Sequence, residues 1–391
     1  MVVVSLPFKK PEVAALMRCI QSRKKGCQGR WQDAETNAGP ESDLRAKRLN
    51  MYEEIISFEN LFLAANEAKR NKALKLPIMR YFANLEENLI NTHNHLVWNS
   101  YQPSPHRKFF VYEPKRRLIS APPFEDRVVH HAIHRVIEPI IDKRFIFDSY
   151  ACRKGKGTHA GADRAQRFIR IVKRNHGRVY ALKADISKYF DSIDHDVLKS
   201  IISSHLTCQK TKQLLSLIID SAETQHEGKG VPIGNLTSQL FANMYLNELD
   251  KFVKHELREK FYIRYMDDFV IIHHDKRHLQ RLRAIIEEWL FNFLKLRTNH
   301  KTQVFPISAS SGRALDFLGY RIYATHRLLR KCTAKKFKHK VKRLRKLYAQ
   351  GKVSGGHIKS VMASYNGCIN HANADGLLKA TLNKPFVRYH G

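Results

Sequence analysis

Acidic side chains are scarce in this chain: 36 Asp and Glu stand against 69 Lys and Arg, a formal net charge of +33. That deficit argues against a cationic partner and for a polyanionic one, because phosphate neutralisation with counterion release dominates nucleic-acid affinity. Long apolar runs are missing too. None approaches the roughly 20 residues that span a bilayer, and Met1-Val2-Val3-Val4-Ser5-Leu6 is too short for a secretory segment ahead of Lys9-Lys10. No membrane association is expected. Six cysteines (Cys19, Cys27, Cys152, Cys208, Cys332 and Cys368) show no CxxC spacing, which suits a reduced, cytoplasmic protein. Repeats and long low-complexity stretches are absent as well. What is present is 43% hydrophobic residues over 391 positions, enough for a substantial core in one to three domains.

Residues 1–50 carry Gly, Asn, Ser and charge with little periodicity, and read as a disordered leader or an extension upstream of a start at Met51. An N-terminal helical region follows over 51–104, with Leu61, Phe62, Ala65 and Ala68 on one face. Strand candidates Phe109-Phe110-Val111-Tyr112 and Leu118-Ile119 then precede a helix bearing Val128, Val129, Ala132, Ile133, Val136 and Ile137. Mixed strands and helices run to about Tyr323. The last 66 residues hold 16 Lys or Arg and one acid, Asp375. There a helix over 335–348, with Phe337, Val341, Leu344 and Leu347 inward, would grip a duplex backbone. One acid cannot supply the several carboxylates of an appended ribonuclease H.

Tyr265-Met266-Asp267-Asp268 lies between two apolar flanks, Phe261-Tyr262-Ile263-Arg264 and Phe269-Val270-Ile271-Ile272, as the bend of a hairpin. Adjacent carboxylates repel, and isolation from water raises at least one pKa. Two Mg²⁺ ions offset that repulsion and clamp the oxygens of an in-line displacement. Val179 to Asp185 reads as a buried strand ending in a third acid, although a helix N-cap suits Asp185 as well. Phe190 fits under the sugar of an incoming nucleotide, where a bulky ring excludes a 2′-hydroxyl; core packing fits the same spacing.

Gly230 to Gln239 forms a turn-like entry in which Thr237 or Ser238 can cap a helix. On that helix Gln239, Asn243 and Asn247 make an uncharged polar stripe suited to a nascent base pair. Lys115-Arg116-Arg117 between the strand candidates can neutralise a triphosphate. Lys301 is a candidate proton donor or charge partner for leaving pyrophosphate. Leu315 to Ile322 reads as a tight hairpin whose Gly319 permits close backbone approach, for instance by a primer. His130 and His134, with Glu138 beyond, have helical zinc-site spacing but lack a second ligand pair.

In this order, Asp185 with Phe190, Gly234 to Gln239, Tyr265-Met266-Asp267-Asp268, Lys301, and Phe317-Leu318-Gly319-Tyr320 resemble the finger and palm blocks of reverse transcriptases, over about 105–325. Asp126-Arg127-Val128-Val129 is similar to the block after the fingers in bacterial members. The resemblance implies an α+β right-hand polymerase with fingers, an antiparallel palm sheet and a short helical thumb over 326–391. It makes Asp185, Asp267 and Asp268 the metal-binding aspartates, with Ile186 counted in the metal set. Two Mg²⁺ ions are implied, with Mn²⁺ as a substitute. Phe190 becomes the sugar gate, and Lys115 and Arg117 the triphosphate contacts, with Ile233, Gly234, Gln239 and Tyr265 in the substrate site.

Most members have Gln-Gly followed by Ser-Pro; here Ile233-Gly234 precedes Ser238-Gln239. That form resembles the reverse transcriptases of diversity-generating retroelements. Those copy a template-repeat RNA with errors opposite adenine, and the cDNA diversifies a variable gene by mutagenic retrohoming in a bacterial or phage-infected cell. The implied partners are RNA template, cDNA or primer duplex, dNTPs and a basic oligomeric accessory protein. Retron, group II intron-like and antiviral-defence enzymes, and a catalytically silent nucleic-acid-binding scaffold, are the alternatives.

Overall fold

The computed structural model describes residues 51–112, 116–222 and 226–388. They fall into two compact units, one holding residues 51–145, 188–248 and 294–296, the other 146–187, 249–293 and 297–388.

The first unit is mainly helical. Its core forms where helix Phe58–Ala68 packs along helix Phe124–Asp142, burying Leu61, Ala65, Val128, Ala132 and Ile133. Ser57 caps the shorter helix by accepting from the Asn60 N–H at 3.2 Å. Asn60 then spans the interface, donating Nδ2 to the Ala132 carbonyl at 3.1 Å. Beyond this core, strands β1 (Arg107–Val111) and β2 (Arg117–Ala121) make an antiparallel hairpin pairing Val111 with Arg117. Every residue of β1 is exposed, so that strand is held by its ladder to β2, which turns Ser120 inward.

The second unit contains a four-stranded antiparallel sheet of order β4-β5-β3-β6, formed by β3 (Tyr180–Asp185), β4 (Tyr262–Tyr265), β5 (Asp268–His273) and β6 (Gln303–Pro306). Helix Thr158–His176 packs on it through Ala162, Ala165, Phe168 and Ile169, next to Val270 and Ile272 in one core. A second sheet joins β7 (Leu315–Phe317), β8 (Tyr320–Ile322) and β9 (Arg327–Leu329). Gly319 turns this hairpin at φ +86°, and a Cβ there would meet nothing within 4 Å. Its need is therefore conformational, and the expected close approach is not made by the chain itself. Gly161 does make one: a Cβ there would lie 2.7 Å from Leu318 Cδ1.

The basic tail is not wholly helical. Arg327–Leu329 belongs to a sheet, and the first tail helix runs Lys331–Ala349. Phe337 and Val341 face inward as expected, within the core that holds Phe317 and Tyr320.

Candidate active site

Strand alternation and hairpin closure bring the three aspartates of the second unit to one end of its sheet. Asp185, the last residue of β3, is register partner of Asp268, the first residue of β5. Tyr265 in turn pairs with Asp268 across the bend. The backbone of Asp267 is tied in as well, its carbonyl accepting from the Ile186 N–H at 3.3 Å. Asp185 does not cap a helix; the short helix Tyr189–Ser192 has Lys188 at its N-cap. The segment after the long helix Lys276–Leu294 closes on the same strand end, since Asn299 N–H donates to the Asp185 carbonyl at 2.6 Å. Lys301 follows on that turn, with its side chain exposed.

Electrostatically the cluster is under tension. Burial pushes the Asp268 carboxyl up to about 7, with Asp185 and Asp267 adding to the rise and Lys183 opposing it. Lys183 Nζ lies 3.4 Å from Asp268 Oδ2 and also donates to the Asp316 carbonyl at 2.8 Å. Asp268 Oδ1 is buried and has no hydrogen-bond partner. An orphaned carboxylate oxygen amid two more acids is what a hard divalent cation satisfies, since such ions take oxygen ligands. The donor chemistry therefore fits a metal. Among the described residues no set of three or more His, Cys, Asp or Glu side chains is closed around a point that could hold one.

The remaining predicted residues lie in the first unit. Phe190 packs edge-to-face on Tyr189 at 5.7 Å, and its carbonyl accepts from Val231 N–H at 2.8 Å. Ser120 N–H of β2 donates to the Ile233 carbonyl at 3.1 Å. Gly234 has φ +122°, and a Cβ would lie 3.0 Å from Ile119 Cγ2, so the loop is seated on the hairpin. Gln239 lines a cavity of about 750 Å³ with Gly234, Asn235, Phe109 and Phe124. Lys72, Lys75, Arg107 and Arg127 line it too. Lys72 and Lys75 belong to the basic run at 69–75, and Arg127 to the Asp126-Arg127-Val128-Val129 block. Arg117 is exposed at the start of β2, and Lys115 lies outside the described residues.

Two expectations are corrected. The helix starts at Leu236, so Thr237 and Ser238 lie within its first turn rather than at the cap. Asn243 and Asn247 are buried at 2% and 0% exposure, so they do not form an open stripe. An uncharged amide is small enough to enter a core, which a spacing argument does not reveal. His130, weighed as a zinc ligand, is buried beside Thr237, and desolvation together with His106, His131 and Arg127 pushes its pKa down to about 3.

The model of the family described as reverse transcriptase (RNA-dependent DNA polymerase) matches residues 107–322, more than half of the chain. The chain belongs to that family. The family is one of RNA-directed DNA polymerases that use divalent metal ions, and the helices and antiparallel sheets described above are the α+β mixture expected of it. It is similar to Protein YkfC of Escherichia coli strain K12, 26% identical over 58% of this chain and 69% of that protein. The group II intron-encoded protein LtrA of Lactococcus lactis subsp. cremoris is 26% identical over 53% of this chain and 34% of LtrA. The chain thus spans about a third of LtrA. A structure of apo telomerase from Candida tropicalis is similar over 88% of this chain and 81% of that one, at 12% identity and a TM-score of 0.44. Among the described residues no helix is long and apolar enough to cross a membrane.

Proposed function

We propose that this chain copies an RNA template into cDNA at the β3 and β5 strand ends, with Asp185, Asp267 and Asp268 as its catalytic carboxylates. The observation that carries this reading is the register pairing of Asp185 with Asp268, beside the backbone tie from Ile186 to Asp267. The reaction is attack of a primer 3′-hydroxyl oxygen on the α-phosphorus of a dNTP, with release of pyrophosphate. Bound Mg²⁺, or Mn²⁺ in its place, supplies charge compensation for the attacking and leaving oxygens. The three aspartates and the Ile186 position would hold it. Lys301 donates a proton or charge to pyrophosphate, Arg117 and Lys115 meet the triphosphate, and Phe190 and Tyr265 border the nucleotide. The basic helix Lys331–Ala349 holds the template–primer duplex.

Within the family, the reading is the diversity-generating type. Its support is Ile233-Gly234-Asn235-Leu236-Thr237-Ser238-Gln239. An apolar side chain at 233 cannot hydrogen-bond a nucleotide, and sites lacking such a probe discriminate less between partners. A basic oligomeric accessory protein is the partner this reading implies. A group II intron-like enzyme is the second reading, favoured by the similarity to LtrA.

Sequencing cDNA made from a defined RNA tests both. Errors concentrated opposite template adenine support the diversity-generating type. Faithful copying favours the intron-like enzyme, and absence of cDNA with primer, dNTPs and Mg²⁺ removes the polymerase reading for this chain.

A further inference from the structure

The Tyr-Met-Asp-Asp turn has an unusual support. Arg264, two residues before Met266, is completely buried, and so is its partner Asp250. The guanidinium donates Nε to Oδ1 at 2.7 Å and Nη2 to Oδ2 at 2.6 Å, a bidentate pairing. Tyr262 donates its hydroxyl to the same Oδ1 at 2.6 Å. Burial, with the Asp250 charge beside it, holds that phenol well above its ordinary pKa, so it stays a donor. The third guanidinium nitrogen, Nη1, donates to the Met266 carbonyl at 2.9 Å.

Met266 needs such a hold. Its φ is +54°, in the left-handed region that an unbranched apolar side chain seldom occupies. Conformations of that kind persist only where the surroundings over-determine them. A buried ion pair is a poor route to stability, because desolvation cancels most of the attraction; its best-attested use is to fix one arrangement. Here the pair ends one hydrogen bond from the residue that precedes both turn aspartates.

We propose that Arg264, held by Asp250 and Tyr262, is a positioning residue for polymerisation. Through the Met266 carbonyl it locks the left-handed turn and so sets where Asp267 and Asp268 present their oxygens. It touches no substrate. The inference rests on the polymerase reading for its effect on rate, and on geometry alone for its effect on the turn.

The test uses the full chain with ¹³C-methyl methionine, Met266 being assigned by substitution. Arg264→Lys keeps the charge but loses the fork, and Asp250→Asn keeps the shape but loses the charge. Each is expected to shift or split the Met266 methyl signal while circular dichroism stays native. Single-turnover nucleotide incorporation should slow by about 10- to 100-fold, as a small misplacement of reacting groups does. dNTP affinity should stay within about twofold, since uniform binding is untouched. Tyr262→Phe removes one hydroxyl only and should shift the same signal less; it supplies the measurement should both ionic variants fail to fold. An unmoved Met266 signal in a folded variant overturns the inference, as does an unchanged incorporation rate. If the wild-type chain makes no cDNA, the polymerase reading falls, and the methyl signal alone decides whether Arg264 holds the turn.

Discussion

Hairpin β1–β2 exposes all five residues of its first strand, whereas β4–β5 buries seven of its ten. Both carry charge at the bend, but the two ribbons face different constraints. β4–β5 sits in a core with β3 against it, so its register is fixed: a slip of one residue would send Ile263, Val270 and Ile272 to the wrong face. That rigidity is what the proposed role of the three aspartates requires. β1–β2 spends Phe109, Phe110 and Tyr112 on solvent, with Arg116 4.1 Å over the Phe110 ring. Exposed aromatics beside cations suit nucleotides and nucleic acid better than a protein core. The lesson is a division of labour by burial. On the proposed function, the buried ribbon of the second unit carries the metal-binding aspartates, and the exposed ribbon of the first carries cations and aromatics suited to a nucleotide.

That division can be broken by substitution. The largest effect belongs to the second unit: Asp267→Ala should abolish primer extension on RNA, by about 10³-fold or more. Continued synthesis in that variant would remove the aspartate assignment. Next comes stability of the first unit in acid. His130 is held neutral in the fold down to about pH 3, while an unfolded chain takes up its proton from about 6.5. Its contribution is complete above pH 6.5 and is lost as pH falls toward 3, by about 3–5 kcal/mol. Denaturant midpoints across that range should show a slope one proton steeper in wild type than in His130→Leu. Equal slopes would mean His130 is not held neutral.

Smaller effects sharpen the selectivity half of the comparison. Phe190→Ala should admit ribonucleotides, changing dNTP-over-rNTP preference by about 10- to 100-fold with little change in dNTP turnover. Undiminished exclusion would place the sugar gate elsewhere. Ile233→Gln should lower misincorporation opposite template adenine by about tenfold or less, read by cDNA sequencing. An unchanged error spectrum would take Ile233 out of the account.

Much of this arrangement was legible from residue order. The apolar run before Asp185 reads as a buried strand, and the β-rich flanks of Asp267 and Asp268 as a hairpin, and both form. Helix Phe124–Asp142 followed from its periodicity. What stayed hidden depends on side-chain direction rather than spacing. Asn243 and Asn247 have the pattern of a polar face yet point inward, and β9 is too short for alternation to register. Arg264 follows three apolar residues and its partner Asp250 lies outside that run, so spacing does not reveal that the two charges are buried as a pair.

Manganese anomalous scattering from crystals of the full chain with primer, RNA template and a non-hydrolysable dNTP tests the central claim most directly. The account predicts density shared between Asp185 and the Asp267–Asp268 turn. Density elsewhere, with those three carboxylates uncoordinated, would contradict it.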